Sequence, residues 1–210
     1  MQAGSKAEGG PRLIGIAGPS CSGKTTLARA LSLQLCAPTA VLPLDAYYRD
    51  LAGLPTAAKA ASNFDDPAAF DYELLVLHIE QLAAGNSIES PVYDFATHTR
   101  QEAIEHIVPT PYLIVEGLFA LYWPLINNLY YLRLFIATDD NLCLKRRVNR
   151  DCKERKRSPE SVQKQYQSHV RPMYQRHILP TARKADLLLN GVDSPQQQID
   201  LIISTLKLQS

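Results

Sequence analysis

The clearest chemistry in the sequence lies in Gly18-Pro-Ser-Cys-Ser-Gly23-Lys24-Thr25, which fits the phosphate-binding pattern GxxxxGK[ST]. The turn through Gly18, Ser20, Ser22 and Gly23 into Thr25 and Thr26 is expected to aim backbone N–H groups, and the positive end of a following helix, at phosphate oxygens. Lys24 would reach the β and γ oxygens, and the Thr25 hydroxyl would ligate Mg²⁺. Given average glycine usage of ~7%, a chance match somewhere in the chain is on the order of 1%. The competing reading is a glycine turn with no ligand. Cys21 lies inside this loop, where a helix N-terminus can lower a thiol pKa, or where it is simply a small loop residue.

Two carboxylates could act with the loop. Asp45 follows Val-Leu-Pro-Leu, and Glu116 follows Tyr-Leu-Ile-Val. In open α/β sheets ligands sit beyond the carboxyl ends of the strands, so a strand-terminal carboxylate there can accept a proton or support a metal through water. Asp45 as a turn residue and Glu116 as a solvated strand end are the plainer alternatives. Asp50-Leu-Ala-Gly53 has the DxxG form of GTPases, but it follows no apolar strand and no NKxD occurs, so it reads as loop. Residues 145 to 157 (KRRVNRDCKERKR) hold eight Lys or Arg against two acids. Such a run is a solvated helical face, a nucleic-acid contact, or a lid that folds arginines over a triphosphate. Aromatic residues that would stack on bases are absent from it, which argues against nucleic acid.

The elements that must position these groups follow from periodicity. Arg12–Ala17, Val41–Leu44, Tyr112–Glu116, Tyr130–Ala137 and Ala185–Asn190 read as strands. Helical patterns run from Lys24 to Cys36 and near 67–84, 139–152, 159–177 and 195–207, with Asp66-Pro67 opening the second and Gly85-Asn86 closing it. Apolar strands alternating with helices predict an α/β fold of the P-loop NTPase type, a parallel five-stranded sheet flanked by helices. Residues 88–108 break the alternation and read as a projecting β-hairpin, and about 150–160 as a helical lid.

Composition limits what else the chain can be. With 210 residues, 46% of them apolar, it suits one domain over residues 12–210, preceded by a small, polar, disordered tail at 1–11. Its 22 basic residues against 21 acidic ones supply no overall field toward nucleic acid or membrane. No apolar run reaches the ~18 residues of a membrane span, and the N-terminus lacks the apolar stretch of a secretory signal, so a cytosolic protein is expected. Cys21, Cys36, Cys143 and Cys152 show no CxxC spacing and are expected to be reduced. No repeat or low-complexity segment is present.

Several stretches together resemble the uridine–cytidine kinases, within the group that includes phosphoribulokinase. They are GPSCSGKTT at 18–26, LDAYYRD at 44–50, NFDDPAAFD at 63–71, SPVYDFATHTR at 90–100, IVEGLFALY at 114–122 and TDDNLCLKRRVNRDCKERKR at 138–157, within a likeness that runs from about residue 12 to 192. The resemblance implies an ATP- or GTP-dependent, Mg²⁺-requiring kinase acting on the 5′-hydroxyl of uridine and cytidine, and it suggests a homo-oligomer of tetramer form. It implies Asp45 as general base with Tyr48 beside it, and Asp65 and Arg147 on the ribose hydroxyls. Phe64, Tyr93, Phe95 and His98 would surround the pyrimidine, with Arg157 and Gln165 closing the pocket. Glu116 would support Mg²⁺, and Arg150 and Arg155 would meet the phosphates. Tyr93 and Phe95 as ordinary strand residues, Phe64 as core and His98 as a surface histidine are the plainer readings. Lys156 stands where the family commonly has glycine (Glu-Arg-Gly-Arg), which stiffens that turn and adds charge. A sister kinase for a sugar phosphate or pantothenate, and a non-enzymatic P-loop switch, are the alternative functions.

Overall fold

The structure is a computed structural model that describes residues 10–55, 58–59 and 62–208. Most of the tail expected at 1–11 therefore lies outside the described residues. Five parallel strands form the sheet: β1 (Arg12–Ala17), β2 (Thr39–Pro43), β5 (Tyr112–Glu116), β6 (Leu132–Ala137) and β7 (Leu187–Asn190). Their order across the sheet is β2-β5-β1-β6-β7. The expected α/β architecture is what the chain adopts.

Alternation along the central strand divides the core into two layers. Ile14 and Ile16 of β1 face Leu27 and Leu31 of helix α1 (Lys24–Gln34) and Ile199 and Ile202 of the last helix (Pro195–Leu208). Leu13 and Ala17 point the other way, into a cluster with Phe70, Phe119, Leu75 and Ile79, the last two from helix α2 (Tyr72–Ala83). With helices on both faces the central strands β5, β1 and β6 are mostly apolar and buried, whereas on the edge strand β7 Leu188 stays 59% exposed. Gly15 lies on the second face, where a Cβ would come within 2.6 Å of the Tyr130 ring.

Several boundaries differ from the sequence reading. β2 begins at Thr39 and stops at Pro43, since Leu44–Tyr47 already winds as a 3₁₀ turn. The segment expected as one helix from 67 opens with a separate 3₁₀ turn, Pro67–Ala69, capped by Asp66; the α-helix proper is capped by Asp71, which accepts the Leu74 N–H. A short helix, α3 (Pro124–Leu129), sits in what read as a connection; six residues are too few to show a period. The helix expected at 159–177 is regular only as α5 (Pro159–Gln165) and continues through wide turns at Tyr166–Val170 and Tyr174–Ile178. Pro172 and Pro180 explain the interruption, because neither supplies the N–H that a regular i→i−4 bond needs. The projecting hairpin is present as β3 (Ile88–Asp94) and β4 (Thr99–Ile107), with a register shift between Pro91 and Tyr93. Among the described residues, no helix is long and apolar enough to cross a membrane.

One close approach places the catalytically suggestive turn. Gly117, just past β5, lies against Leu44, and a Cβ there would meet the Leu44 Cβ at 2.6 Å. That contact sits next to the backbone and cannot be relieved by a rotamer change. Gly117→Ala is expected to destabilise the fold by ~1–3 kcal/mol through overpacking, at about 2–4 °C per kcal/mol for a chain of this size. Thermal denaturation checks it; an unchanged Tm would show that the Leu44 turn yields freely.

Candidate active site

Strand register brings the polar groups together. Ile16 of β1 is level with Glu116 of β5, and Glu116 is level with Pro43 of β2. The three strands therefore end side by side, and Asp45 follows two residues after Pro43. Beyond β1 the chain turns through Cys21 at φ 64 and Gly23 at φ 104, left-handed conformations that curl the loop inward. Gly23 is the N-cap of α1 and offers no side chain to the first turn, so the helix presents uncapped N–H groups to the space above it. Nothing lies within 4 Å of a Cβ built on Gly23, so its glycine is required by conformation and not by crowding.

Inside this turn Lys24 is buried, and its Nζ donates to the Pro19 carbonyl at 2.8 Å. Thr25 Oγ1 donates to Glu116 Oε1 at 2.9 Å, and the buried Ser22 hydroxyl has no partner. Burial lowers the pKa of Lys24, opposed by the neighbouring Glu116 and Asp45 charges. Burial likewise raises Glu116 and Asp45, opposed in both cases first by Lys24 and, for Asp45, next by Arg150 and Arg155. Lys24 favours the ionised form of both acids and they favour its cation, whereas Asp45 works against the charge on Glu116. A hydroxyl and a carboxylate facing a phosphate-sized opening are hard oxygen donors and fit Mg²⁺ held jointly with a ligand's phosphates. Among the described residues no three His, Cys, Asp or Glu side chains gather into a self-contained metal cage.

Beyond Asp45 the cleft becomes aromatic. Tyr48 is ringed by Phe64, Phe70, Tyr93 and Phe95, at centroid distances of 5.5, 4.3, 5.4 and 6.3 Å. The Tyr48 hydroxyl donates to the Phe64 carbonyl at 3.0 Å. His98, at the hairpin tip with φ 56, stacks on Phe64 at 4.3 Å and 16°. Its Nδ1 and the Tyr93 hydroxyl are buried without hydrogen-bond partners, and burial pushes the Tyr93 phenol up to about 12. Asp65, 6% exposed, lies 3.9 Å from Arg147, which also donates to the Ser20 hydroxyl at 3.1 Å. Burial raises the Asp65 pKa, with Arg147 opposing.

Helix α4 (Asp140–Glu154) and the turn after it roof the cleft. Arg146 donates to the carbonyls of Cys21 and Gly191. The Arg155 guanidinium sits 5.6 Å over the Phe95 ring, so helix and hairpin meet across the opening. Arg157 donates to Gln165 and to Ser161. A single cleft of about 1460 Å³ is lined by every expected phosphate, metal and nucleoside residue except Gly18. Gly18 lies beneath it, where a Cβ would meet the Ile136 carbonyl oxygen at 2.7 Å. Asp50–Gly53 is a turn, as the missing guanine motif suggested. The four cysteines are unpaired.

Three residues escaped the sequence reading. Asp151, wholly buried, lies among the lid arginines; its i,i+4 spacing from Arg147 and Arg155 was the available signal. Arg100 bonds the Tyr48 carbonyl and pairs with Asp71 at 3.1 Å, tying the hairpin to the core; it stood inside PVYDFATHTR without an assigned role. Arg146, lost in the basic run, braces the phosphate loop.

Known proteins resemble this chain along most of its length. The pattern of the Phosphoribulokinase / Uridine kinase family matches residues 13–198. A protein named uridine kinase from Chloroflexus aurantiacus is 41% identical over 198 residues, covering 94% of this chain and 95% of its own length. One of the same name from Ligilactobacillus salivarius is 39% identical over 201 residues, 95% and 94% of the two chains. Among solved structures, phosphoribulokinase from Rhodobacter spheroides superposes with a TM-score of 0.67 at 15% identity, over 86% of this chain and 70% of that one. D-glycerate 3-kinase from Cryptococcus neoformans gives 0.64 at 17% identity, over 87% of each. Both share the fold.

The packing of His98 has a measurable consequence. Burial, then Arg155 and Lys59, disfavour its cationic form, with Asp94 opposing. NMR titration is expected to place its midpoint below the ordinary 6.5. A midpoint at or above that value would mean that the ring is not shielded between Phe64 and the lid.

Proposed function

The chain belongs to the Phosphoribulokinase / Uridine kinase family, and from that premise we propose that it transfers the γ-phosphate of ATP or GTP to the 5′-hydroxyl of uridine and cytidine. The observation that carries this reading is the continuity of one cleft. A phosphate loop at one end passes Asp45 and opens into an aromatic pocket with an Asp65–Arg147 pair on its wall. Near 40% identity to proteins named uridine kinase, over almost the whole chain, supports it further.

In this reading the phosphate loop and Lys24 hold the triphosphate, and Thr25 and Glu116 hold Mg²⁺. The metal, when bound, offsets charge on the phosphate oxygens. Tyr48, Phe64, Tyr93 and Phe95 clamp a flat pyrimidine, and the unpartnered His98 Nδ1 and Tyr93 hydroxyl bond its polar edge. Asp65 accepts from the ribose hydroxyls with Arg147 beside it. Asp45 takes the proton from the 5′-hydroxyl as the oxygen attacks in line. Arg150 and Arg155, with Lys24, stabilise charge on the transferring group, while Arg157 and Gln165 close the pocket. The acceptor is a small molecule, and a homo-oligomer, of which a tetramer is one form, belongs to the same reading.

Asp45 and its neighbours make the reading testable. Removing a general base typically costs about 10²–10⁴-fold, so Asp45→Asn should lower kcat by that order in a coupled ADP-release assay while nucleotide still binds. Because burial raises the Asp45 pKa, its base form is lost as pH falls through a value above the ordinary 3.8. The acid limb of kcat/KM should lie there and vanish in Asp45→Asn. Undiminished turnover would remove Asp45 from the chemistry.

The ribose contacts give a second test. Sites that hydrogen-bond a substrate hydroxyl reject analogues lacking it by up to ~10⁴–10⁵-fold. 2′-Deoxycytidine should therefore be a far poorer substrate than cytidine, and Asp65→Ala should narrow the gap. Equal kcat/KM for the two nucleosides in the unmodified enzyme would contradict the role given to Asp65 and Arg147.

A further inference from the structure

At the end of α4 one carboxylate draws four guanidinium groups together. Asp151 is 0% exposed. Its Oδ1 accepts from Arg150 Nε at 2.9 Å, with Arg150 Nη2 at 2.8 Å and Arg155 Nε at 3.8 Å. Its Oδ2 lies 3.6 Å from Arg147 Nε and 3.8 Å from Arg157 Nη1. The main-chain carbonyl of the same residue accepts the N–H of Arg155 at 3.1 Å and of Arg157 at 3.2 Å. Between those two N–H groups stands Lys156 at φ 52, the left-handed position that folds the chain back over the helix end. A single residue thus fixes both the turn and the side chains of the segment above the cleft.

The contacts are unequal in kind. Only Arg150 is within hydrogen-bonding distance of the carboxylate; Arg147, Arg155 and Arg157 are held by charge at 3.6–3.8 Å. Asp151 Oδ2 and Arg147 Nε are both buried without a hydrogen-bond partner. One negative charge against four positive ones leaves a surplus of cations, and Arg150 and Arg155 act on Asp45 across the cleft. Without the carboxylate the four guanidinium groups would repel one another, Arg147 still bonded to Ser20 and Arg157 to Gln165 and Ser161, but Arg150 stripped of the hydrogen bond that fixes it and Arg155 left only its place over the Phe95 ring.

We propose that Asp151 is a positioning residue that preassembles the lid arginines. Its carboxylate holds Arg150 and Arg155 in the wall of the cleft that Asp45 also lines before any ligand arrives, so an incoming triphosphate need not gather them itself. This rests on the kinase reading above for its effect on turnover, but not for its effect on the lid. Misplacing catalytic groups by about 1 Å costs on the order of 10²-fold. The loss should fall mainly on kcat, because Arg150 and Arg155 act on charge that develops during transfer, whereas Arg147 and Arg157, which serve the nucleoside, keep their bonds to Ser20 and to Gln165 and Ser161.

Asp151→Asn removes the charge and keeps the size, and Asp151→Glu restores the charge. For each, kcat and KM for ATP and uridine, Tm, and the rate of phenylglyoxal labelling at Arg150, Arg155 and Arg157, mapped by peptide mass spectrometry without ligands, are measured. Asp151→Asn should lower kcat by about 10²-fold, change KM for uridine much less, and label these arginines several-fold faster; Asp151→Glu should recover much of both. Wild-type kcat and labelling in Asp151→Asn would overturn the proposal, as would equal impairment of both variants with unchanged labelling. Should Asp151→Asn fail to fold, the charge-balanced pair Asp151→Asn/Arg157→Gln takes its place, compared with Arg157→Gln alone and judged by the same outcomes. If the wild type does not phosphorylate uridine, the kinase reading fails on its own, and the labelling comparison still decides the role of Asp151.

Discussion

A buried ammonium close to two buried carboxylates is the interaction on which the rest of this structure depends. Loss of water pushes Lys24, Glu116 and Asp45 each toward neutrality; Lys24 opposes this at both acids and they oppose it at Lys24, while Asp45 adds to the rise at Glu116. Such an arrangement has no hydrophobic reason to form and must be imposed by the frame around it. The frame is the shared register of β2, β5 and β1, with strands apolar on both faces that cannot slide without exposing their side chains. Gly117 then lets the Leu44 turn close up against the sheet, which is what brings Asp45 alongside Glu116.

Around that centre the site is assembled from pieces of different stiffness. The phosphate loop grows directly out of β1 and is braced by Arg146, whereas the aromatic pocket borrows Tyr93, Phe95 and His98 from a ribbon outside the sheet. The lid is a third piece, contributed by the end of a helix. Where lid and ribbon meet, the contact is Arg155 over the Phe95 ring, a cation on an aromatic face that can be broken and remade without leaving an apolar surface stranded.

Much of this was legible in the sequence, for reasons that also explain what was not. β1 and β5 were delimited to the residue because each is an unbroken apolar run ending in a residue with a job, and the hairpin stood out because its residue types broke the strand–helix rhythm. The wide turns between 166 and 178 were hidden because the apolar spacing continues through them, and only Pro172 and Pro180 betray the lost donors. Asp66 drew attention as a cap ahead of Pro67, yet Asp71 caps the α-helix, since a turn with its own cap intervenes. Asp151 was invisible for a different reason. Within thirteen residues so rich in Lys and Arg, one of two acids looks like dilution of charge, and only its distances to four guanidinium groups show it to be their centre.

The β3–β4 ribbon shares no backbone ladder with the main sheet. Most of β4 is open to solvent, and the ribbon is held down by Ile88, Tyr93 and Ile107 in the core and by Arg100, which is paired with Asp71 and bonded to the Tyr48 carbonyl. Half the walls of the aromatic chamber can therefore be redrawn without disturbing a single strand of the central scaffold. On the proposed kinase reading, the side chains of the ribbon that face the chamber are where a different acceptor would be accommodated, with the phosphate loop left as it stands.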